Sequence, residues 1–237
     1  MITAFLPCRK GSQRIPDKNV KPFAGVQGGL LEIKLTQLLA CDAIDQIFVS
    51  SNDDRVLSFT QKKRDSRIII DERPDHLGSS STTTDALINY VAELISNGVI
   101  TKGDLLWTHV TSPFVTELHY QALLYKYKEK VAVGYDSLIT AKKIQGFLWD
   151  DKKPINYDRE VEKWPRTQTI PPIYEIDSAA FIASSDIYLN FYDRMGKFPF
   201  IEIQEGICSL DIDWPDDFLI AEKIYEHYST KNLNGKE

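Results

Sequence analysis

Cysteine is scarce and odd in number. Cys8, Cys41 and Cys208 are the full set, and their spacing fits no metal site. That excludes a disulfide framework and a thiolate zinc centre, and it suits reduced thiols in a cytosolic protein. No apolar run approaches the length of a membrane span. Met1 leads into a strand pattern, not into a basic segment and an apolar run, so no secretory leader is expected. The expectation is a cytoplasmic protein off the membrane. Positive charge is also short: 28 Lys and Arg against 34 Asp and Glu give a net charge of −6. A general nucleic-acid binder normally carries an acid-poor basic face, so that class is excluded, whereas a nucleotide site needs only a few local cations. Internal repeats and low-complexity segments are missing, and only residues 229–237 look disordered.

What is present is enough apolar material for one large core. Hydrophobic residues make up 43% of 237 positions, consistent with one α/β domain spanning 1–237 and holding an insertion. Strand patterns at 2–6, 46–50, 67–70 and 105–110 alternate with helical ones at 30–40, 53–62, 83–96 and 116–130. Leu31, Leu35, Leu38 and Leu39 show helical spacing. Strands separated by helices of this length call for a mostly parallel sheet with right-handed crossovers. Strands at 179–183 and 200–204 and a helix at 215–228 follow. Between them, 137–176 is rich in Lys, Asp and Pro, with Phe147, Trp149, Tyr157 and Trp164 among charges. So long an excursion reads as a functional arm or as a surface loop covered by its own aromatics.

Two segments carry chemistry on their own residues. After the first strand come Arg9, Lys10, Gly11, Ser12, Arg14, Pro16, Lys18 and Asn19. A loop at the carboxyl end of a parallel strand is where open α/β sheets bind ligands. Gly11 allows close approach to an anion, Ser12 adds a hydroxyl, and Arg9 and Lys18 can neutralise phosphate. The order of residues is not that of a Walker loop. Near the other end stand Asp211 and Asp213, two apart and thus on one side of an expected strand. Crowded carboxylates repel unless a cation lies between them, and hard oxygen ligands suit Mg²⁺ with substrate phosphates. Asp216 and Asp217 read instead as an acidic helix start. A Ser/Thr run at 79–84 follows Arg73, and Thr108-His109-Val110-Thr111-Ser112-Pro113 follows the fourth strand.

The pattern Arg9-x-Gly11-Ser12-x-x-x-Pro16-x-Lys18-Asn19 resembles the signature loop of the acylneuraminate cytidylyltransferases, a family that includes enzymes activating Kdo, legionaminic and pseudaminic acids. Ser209-Leu210-Asp211-Ile212-Asp213 is similar to its metal-binding pair, and Arg73-Pro74-x-x-Leu77 to its base-reading segment. The resemblance implies a Rossmann-like nucleotide-diphospho-sugar transferase fold, a mixed and mostly parallel sheet with helices on both faces. It also implies that 137–176 forms a homodimerisation arm. The activity implied is transfer from CTP to a 3-deoxy-2-ulosonic acid, giving a CMP-sugar and pyrophosphate. Arg9 and Lys18 would hold the triphosphate, with Gly11, Ser12 and Asn19 in the same loop. Arg73, Thr83 and Thr84 would read cytosine. His109, Thr111 and Ser112 would face the sugar, and Arg166 and Gln168 would hold its carboxylate. Asp211 and Asp213 would bind Mg²⁺, with Asp213 also catalytic.

Several positions depart from the family pattern. Arg14 replaces a small residue, His109 a Gln, Val110 a Pro, and Asp177-Ser178 an Asn-Gly. Arg14 adds a cation to the phosphate site or points to solvent. A same-fold nucleotidyltransferase for another sugar or nucleotide remains an alternative, as does a silent nucleotide-binding relative.

Overall fold

A computed structural model describes residues 1–234; residues 235–237 of the expected tail lie outside it. Seven strands form one sheet in the order β3-β2-β1-β4-β6-β5-β7. They are β1 (Ile2–Pro7), β2 (Gln46–Ser51), β3 (Ile68–Glu72), β4 (Asp104–Trp107), β5 (Ser137–Ile144), β6 (Ile173–Ser184) and β7 (Pro199–Gln204). β6 runs antiparallel to both its neighbours, and the remaining pairs are parallel. The helices are α1 (Gly29–Ala40), α2 (Asp54–Lys62), α3 (Thr84–Ser96), α4 (Glu117–Val131), α5 (Ser185–Phe191) and α6 (Pro215–Asn234).

Alternation along β1 explains the two layers. Ile2, Ala4 and Leu6 face a core completed by α1, α4 and α6, whereas Phe5 faces one completed by α3 and α5. On the second face Phe5 packs against Trp107 with ring centroids 4.7 Å apart. Apolar residues on both faces of β1, β2 and β4 are what a sheet covered on both sides requires. No helix among the described residues is long and apolar enough to cross a membrane.

Four expectations need correction. Residues 137–144 are not the start of an arm. They form β5, between β6 and β7, with 137–141 buried. A strand buried on both faces shows an apolar run and not an alternation, and Lys142 and Lys143 at its end disguised it. The irregular excursion is therefore 145–172. β4 stops at Trp107, so His109 lies in the following loop. Residues 211–213 belong to no strand. The C-terminal helix passes Tyr228 and continues to Asn234, through most of the segment read as disordered.

β6 carries one irregularity that shapes the site. Ile139 pairs with Phe181, but Ala141 pairs with Ile176, so Thr140 stands opposite a bulge formed by 177–180. The Thr140 hydroxyl donates to Asp177 Oδ1 at 2.5 Å and accepts from Ala180 N at 2.9 Å. Bulges of this kind re-aim side chains next to active sites. Here Ser178 is held at φ +61 at the same sheet edge as the loops after β1, β3 and β4.

Candidate active site

A cleft of about 390 Å³ opens at that edge. One wall is the cationic loop after β1. Gly11 takes φ +73, but nothing lies within 4 Å of where its Cβ would stand. It supplies the turn and does not itself line the cleft. Asn19 ties the loop, its amide donating to the Arg9 carbonyl at 3.0 Å. Arg9, Ser12, Lys18 and Asn19 all line the cavity. Arg9 Nη1 is buried with no hydrogen-bond acceptor among the described residues. An unsatisfied buried donor is costly, and it marks a position that an anionic oxygen would satisfy.

The carboxylates face this loop. Ile212 N donates to the Thr111 carbonyl at 3.0 Å and its side chain is fully buried. Pinning Ile212 inward turns both Asp211 and Asp213 to the cleft, as alternation predicted even without a strand. Lys18 Nζ donates to the Ile212 carbonyl at 2.7 Å and lies 3.4 Å from Asp213 Oδ1. Burial lowers the Lys18 pKa, an effect opposed by Asp213 and Asp211. Arg14 settles its two alternatives in favour of the site. Its Nη2 is 3.0 Å from Asp213 Oδ1 and its guanidinium lies 4.8 Å from the Trp214 ring centroid. Burial pushes the Asp211 carboxyl up to about 6, with repulsion from Asp213 adding and a hydrogen bond from Thr111 opposing. Asp211 Oδ1 is buried and has no donor.

The opposite wall comes from β3 and α3. Arg73 is buried, its Nε donating to Ser50 Oγ at 3.0 Å and its Nη2 to the Ser50 carbonyl at 2.6 Å. Ser50 in turn donates to Asp71 at 2.6 Å, so the guanidinium is braced from behind while still lining the cleft. Thr83 caps α3, accepting from Ala86 N at 3.1 Å, and both Thr83 and Thr84 line the cavity beside Leu77 and Leu87. Cys8 lies behind this wall. Burial raises its pKa to about 12, which makes it an inert thiol.

His109 and Thr111 line the floor. Trp107 Nε1 can only donate, and it lies 3.0 Å from His109 Nε2. The imidazole is therefore neutral with its hydrogen on Nδ1, ready to donate. Burial and the surrounding cations, Arg194 first, push its pKa down to about 3.

Besides Gly11, three sequence candidates do not line the cleft. Ser112 is buried behind the cleft, where its carbonyl accepts from Lys34 Nζ at 2.8 Å. Arg166 and Gln168 are exposed on the excursion and do not line the cleft of their own chain. Lys34 itself went unremarked in the sequence. It is fully buried, also donates to Val115 O and to Tyr120 Oη at 2.6 Å, and burial lowers its pKa to about 7. Its position in α1, three after Leu31, was the available signal.

A second chamber of about 440 Å³ shares Ser178, Asp211 and Asp213 with the cleft. Lys142, Glu175, Asp177 and Asp217 complete its charged lining. Among the described residues no three His, Cys, Asp or Glu gather as a ready metal site. A cation held by Asp211 and Asp213 would draw its other ligands from substrate and water, which is the habit of Mg²⁺.

Comparison with known proteins gives the family and the fold. Residues 3–233 match the cytidylyltransferase family. N-acylneuraminate cytidylyltransferase of Streptococcus agalactiae serotype III (strain NEM316) is 22% identical, over 98% of this chain and 55% of the relative. The serotype V enzyme (strain ATCC BAA-611 / 2603 V/R) is 21% identical with the same coverage. The chain thus spans about half the length of the curated relatives it matches. Among solved structures, a CMP:2-keto-3-deoxy-manno-octonic acid synthetase complexed with CTP superposes with a TM-score of 0.65 at 11% identity, covering 96% of this chain and 99% of that one. The 4-diphosphocytidyl-2C-methyl-D-erythritol synthase of Anaerococcus prevotii DSM 20548 gives 0.65 at 15%, covering 95% and 96%. These structural likenesses establish the fold.

Proposed function

The chain belongs to the cytidylyltransferase family, and we propose that it transfers CMP from CTP to the anomeric hydroxyl of a 3-deoxy-2-ulosonic acid, a sialic acid or a related nonulosonic acid. The hydroxyl gives up its proton to Asp211, Asp213 or water, its oxygen bonds to the α-phosphorus, the bond from phosphorus to the α–β bridging oxygen breaks, and pyrophosphate leaves. The observation that carries the reading is a pair of opposed, unsatisfied buried atoms on one cleft: the donor Arg9 Nη1 and the acceptor Asp211 Oδ1. A bound polyphosphate with a cation would satisfy both.

Each wall has a part. Arg9 and Lys18 neutralise the triphosphate and the leaving group, with Ser12 and Asn19 in the same loop. Transfer of this kind is achieved mainly by positioning and charge. Arg73 presents guanidinium hydrogens to the O2 and N3 edge of cytosine, held in plane by Ser50. Thr83 and Thr84 complete that end, and Leu77 and Leu87 give it apolar surface. Asp211 and Asp213 fit Mg²⁺, since one Asp211 oxygen lacks a donor and the Asp213 carboxylate faces the cations Arg14 and Lys18 across the cleft. A Mg²⁺ ion held by these two carboxylates would supply charge neutralisation for the phosphates. Arg166 and Gln168 serve a partner's cleft across a homodimer.

The test is to incubate the protein with each NTP, Mg²⁺ and a panel of ulosonic acids, and to measure pyrophosphate. Release with CTP and at least one ulosonic acid is expected. No release with any ulosonic acid, or equal release with UTP, defeats the proposal.

A further inference from the structure

We propose that Asp177 selects the acceptor: the chamber beside the carboxylate pair takes a sugar acid that presents a hydrogen-bond donor, a hydroxyl or an N–H, to this residue. The inference rests on the function proposed above. It starts from the bulge in β6. Asp177 Oδ1 accepts from Thr140 Oγ1 and from Ala179 N, and these two bonds hold the bulge together. Oδ2 is buried and has no partner. The residue is 6% exposed and lines the chamber that meets the nucleotide cleft at Asp211 and Asp213.

Holding the bulge requires one acceptor oxygen, which an asparagine would supply as well. The resembled family has Asn-Gly where this chain has Asp177-Ser178. The serine takes φ +61, a conformation that favours glycine, so the turn is made without one. The exchange of asparagine for aspartate leaves the backbone task unchanged. It alters only the free atom, from an amide that donates to an oxygen that accepts. A buried acceptor left empty costs stability, and a substrate donor arriving there recovers that cost on binding. A substrate carbonyl in the same place would face the oxygen with like partial charge.

The rest of the lining agrees. Glu175, Asp177 and Asp217 give acidic walls, and Lys142 is the cation on that lining. An ulosonic acid would direct its carboxylate to Lys142 and its donors to the acidic side.

The experiment measures kcat/KM for each ulosonic acid at saturating CTP, with Asp177→Asn and Thr140→Val beside the wild type. Asp177→Asn should lose roughly 10- to 100-fold with the acceptor the wild type uses best. It should lose less, or gain, with acceptors carrying a carbonyl at the matching position. Its KM for CTP and its melting temperature should stay near wild type. Thr140→Val removes the tie without touching the free oxygen, so it should melt lower but keep the wild-type order of acceptors. If Asp177→Asn keeps that order within twofold, or if Thr140→Val reorders it equally, Asp177 is only the bulge's anchor. If the wild type turns over no ulosonic acid, the proposed function fails first, and the two failures are distinguished.

Discussion

Asp211 holds a carboxylate oxygen that is buried and receives no hydrogen bond, and the cheapest relief is to remove its charge. Asp211→Asn and Asp213→Asn should each abolish CTP-dependent pyrophosphate release while leaving the fold intact. Relief of repulsion should make the stability change small, or slightly favourable for Asp211→Asn. Near-normal turnover in both variants would remove the metal assignment. Lys34 gives the opposite case, a buried cation with every hydrogen used. Its pKa of about 7 lies below the ordinary lysine value. Below pH 7 both folded and unfolded chains carry the proton, and burial costs its full amount. Between about 7 and about 10.5 the unfolded chain keeps a proton that the folded chain sheds, so stability rises with pH. Lys34→Met should lose about 1–3 kcal/mol at pH 9, because Ser112 and Val115 lose donors. In urea titrations the wild type's margin over this variant should widen from pH 6.5 to pH 9. A constant margin would mean that Lys34 does not titrate in that window.

At the scale of elements, the start of α3 links stability to binding. Thr83 caps the helix and stands on the cleft, so Thr83→Ala should cost about 0.5–2 kcal/mol and raise KM for CTP more than it lowers kcat. An unchanged melting temperature would show that the cap contributes nothing. The elements also show where the sequence was readable. The loop after β1, the Arg73 segment and the two carboxylates were legible because each is a short local pattern, and the structure brings them to one cavity. Helices with spaced leucines were legible for the same reason. β5 was not, because burial on both faces removes the period of two, and two lysines then imitate a surface segment. Ser112 was misplaced because facing direction in a loop depends on what lies behind it, here Lys34, 78 residues away in sequence. The chamber around Asp177 depends on a bulge whose partner, Thr140, is 37 residues distant, and no local pattern announces such a pairing.

For the whole molecule, the excursion at 145–172 stands out by its exposed apolar side chains. Its aromatics form a small cluster of their own. Phe147 meets Tyr157 and Trp164 edge-on at 5.4 and 5.3 Å, and Arg159 lies over Trp149 and Trp164. The cluster is incompletely shielded: Trp164 is 65% exposed and Val161 84%. We propose that these side chains bury themselves against a second copy, since closed two-fold dimers are the commonest soluble assembly and an interface needs about 800 Å² from each partner. The same packing would carry the exposed Arg166 and Gln168 toward a partner's chamber, whose lining holds a single cation, Lys142. Phe147 is the hub of the cluster, so a charge there would unravel the excursion itself. Trp164→Glu and Val161→Glu are the cleaner choices. Both should sediment as monomers at micromolar concentration and bind CTP as the wild type does. Their turnover of the sugar should fall by at least tenfold, through kcat/KM for the acceptor and not for CTP. A wild type that sediments as a monomer with full activity, or glutamate variants that stay dimeric, would show that the arm serves its own chain.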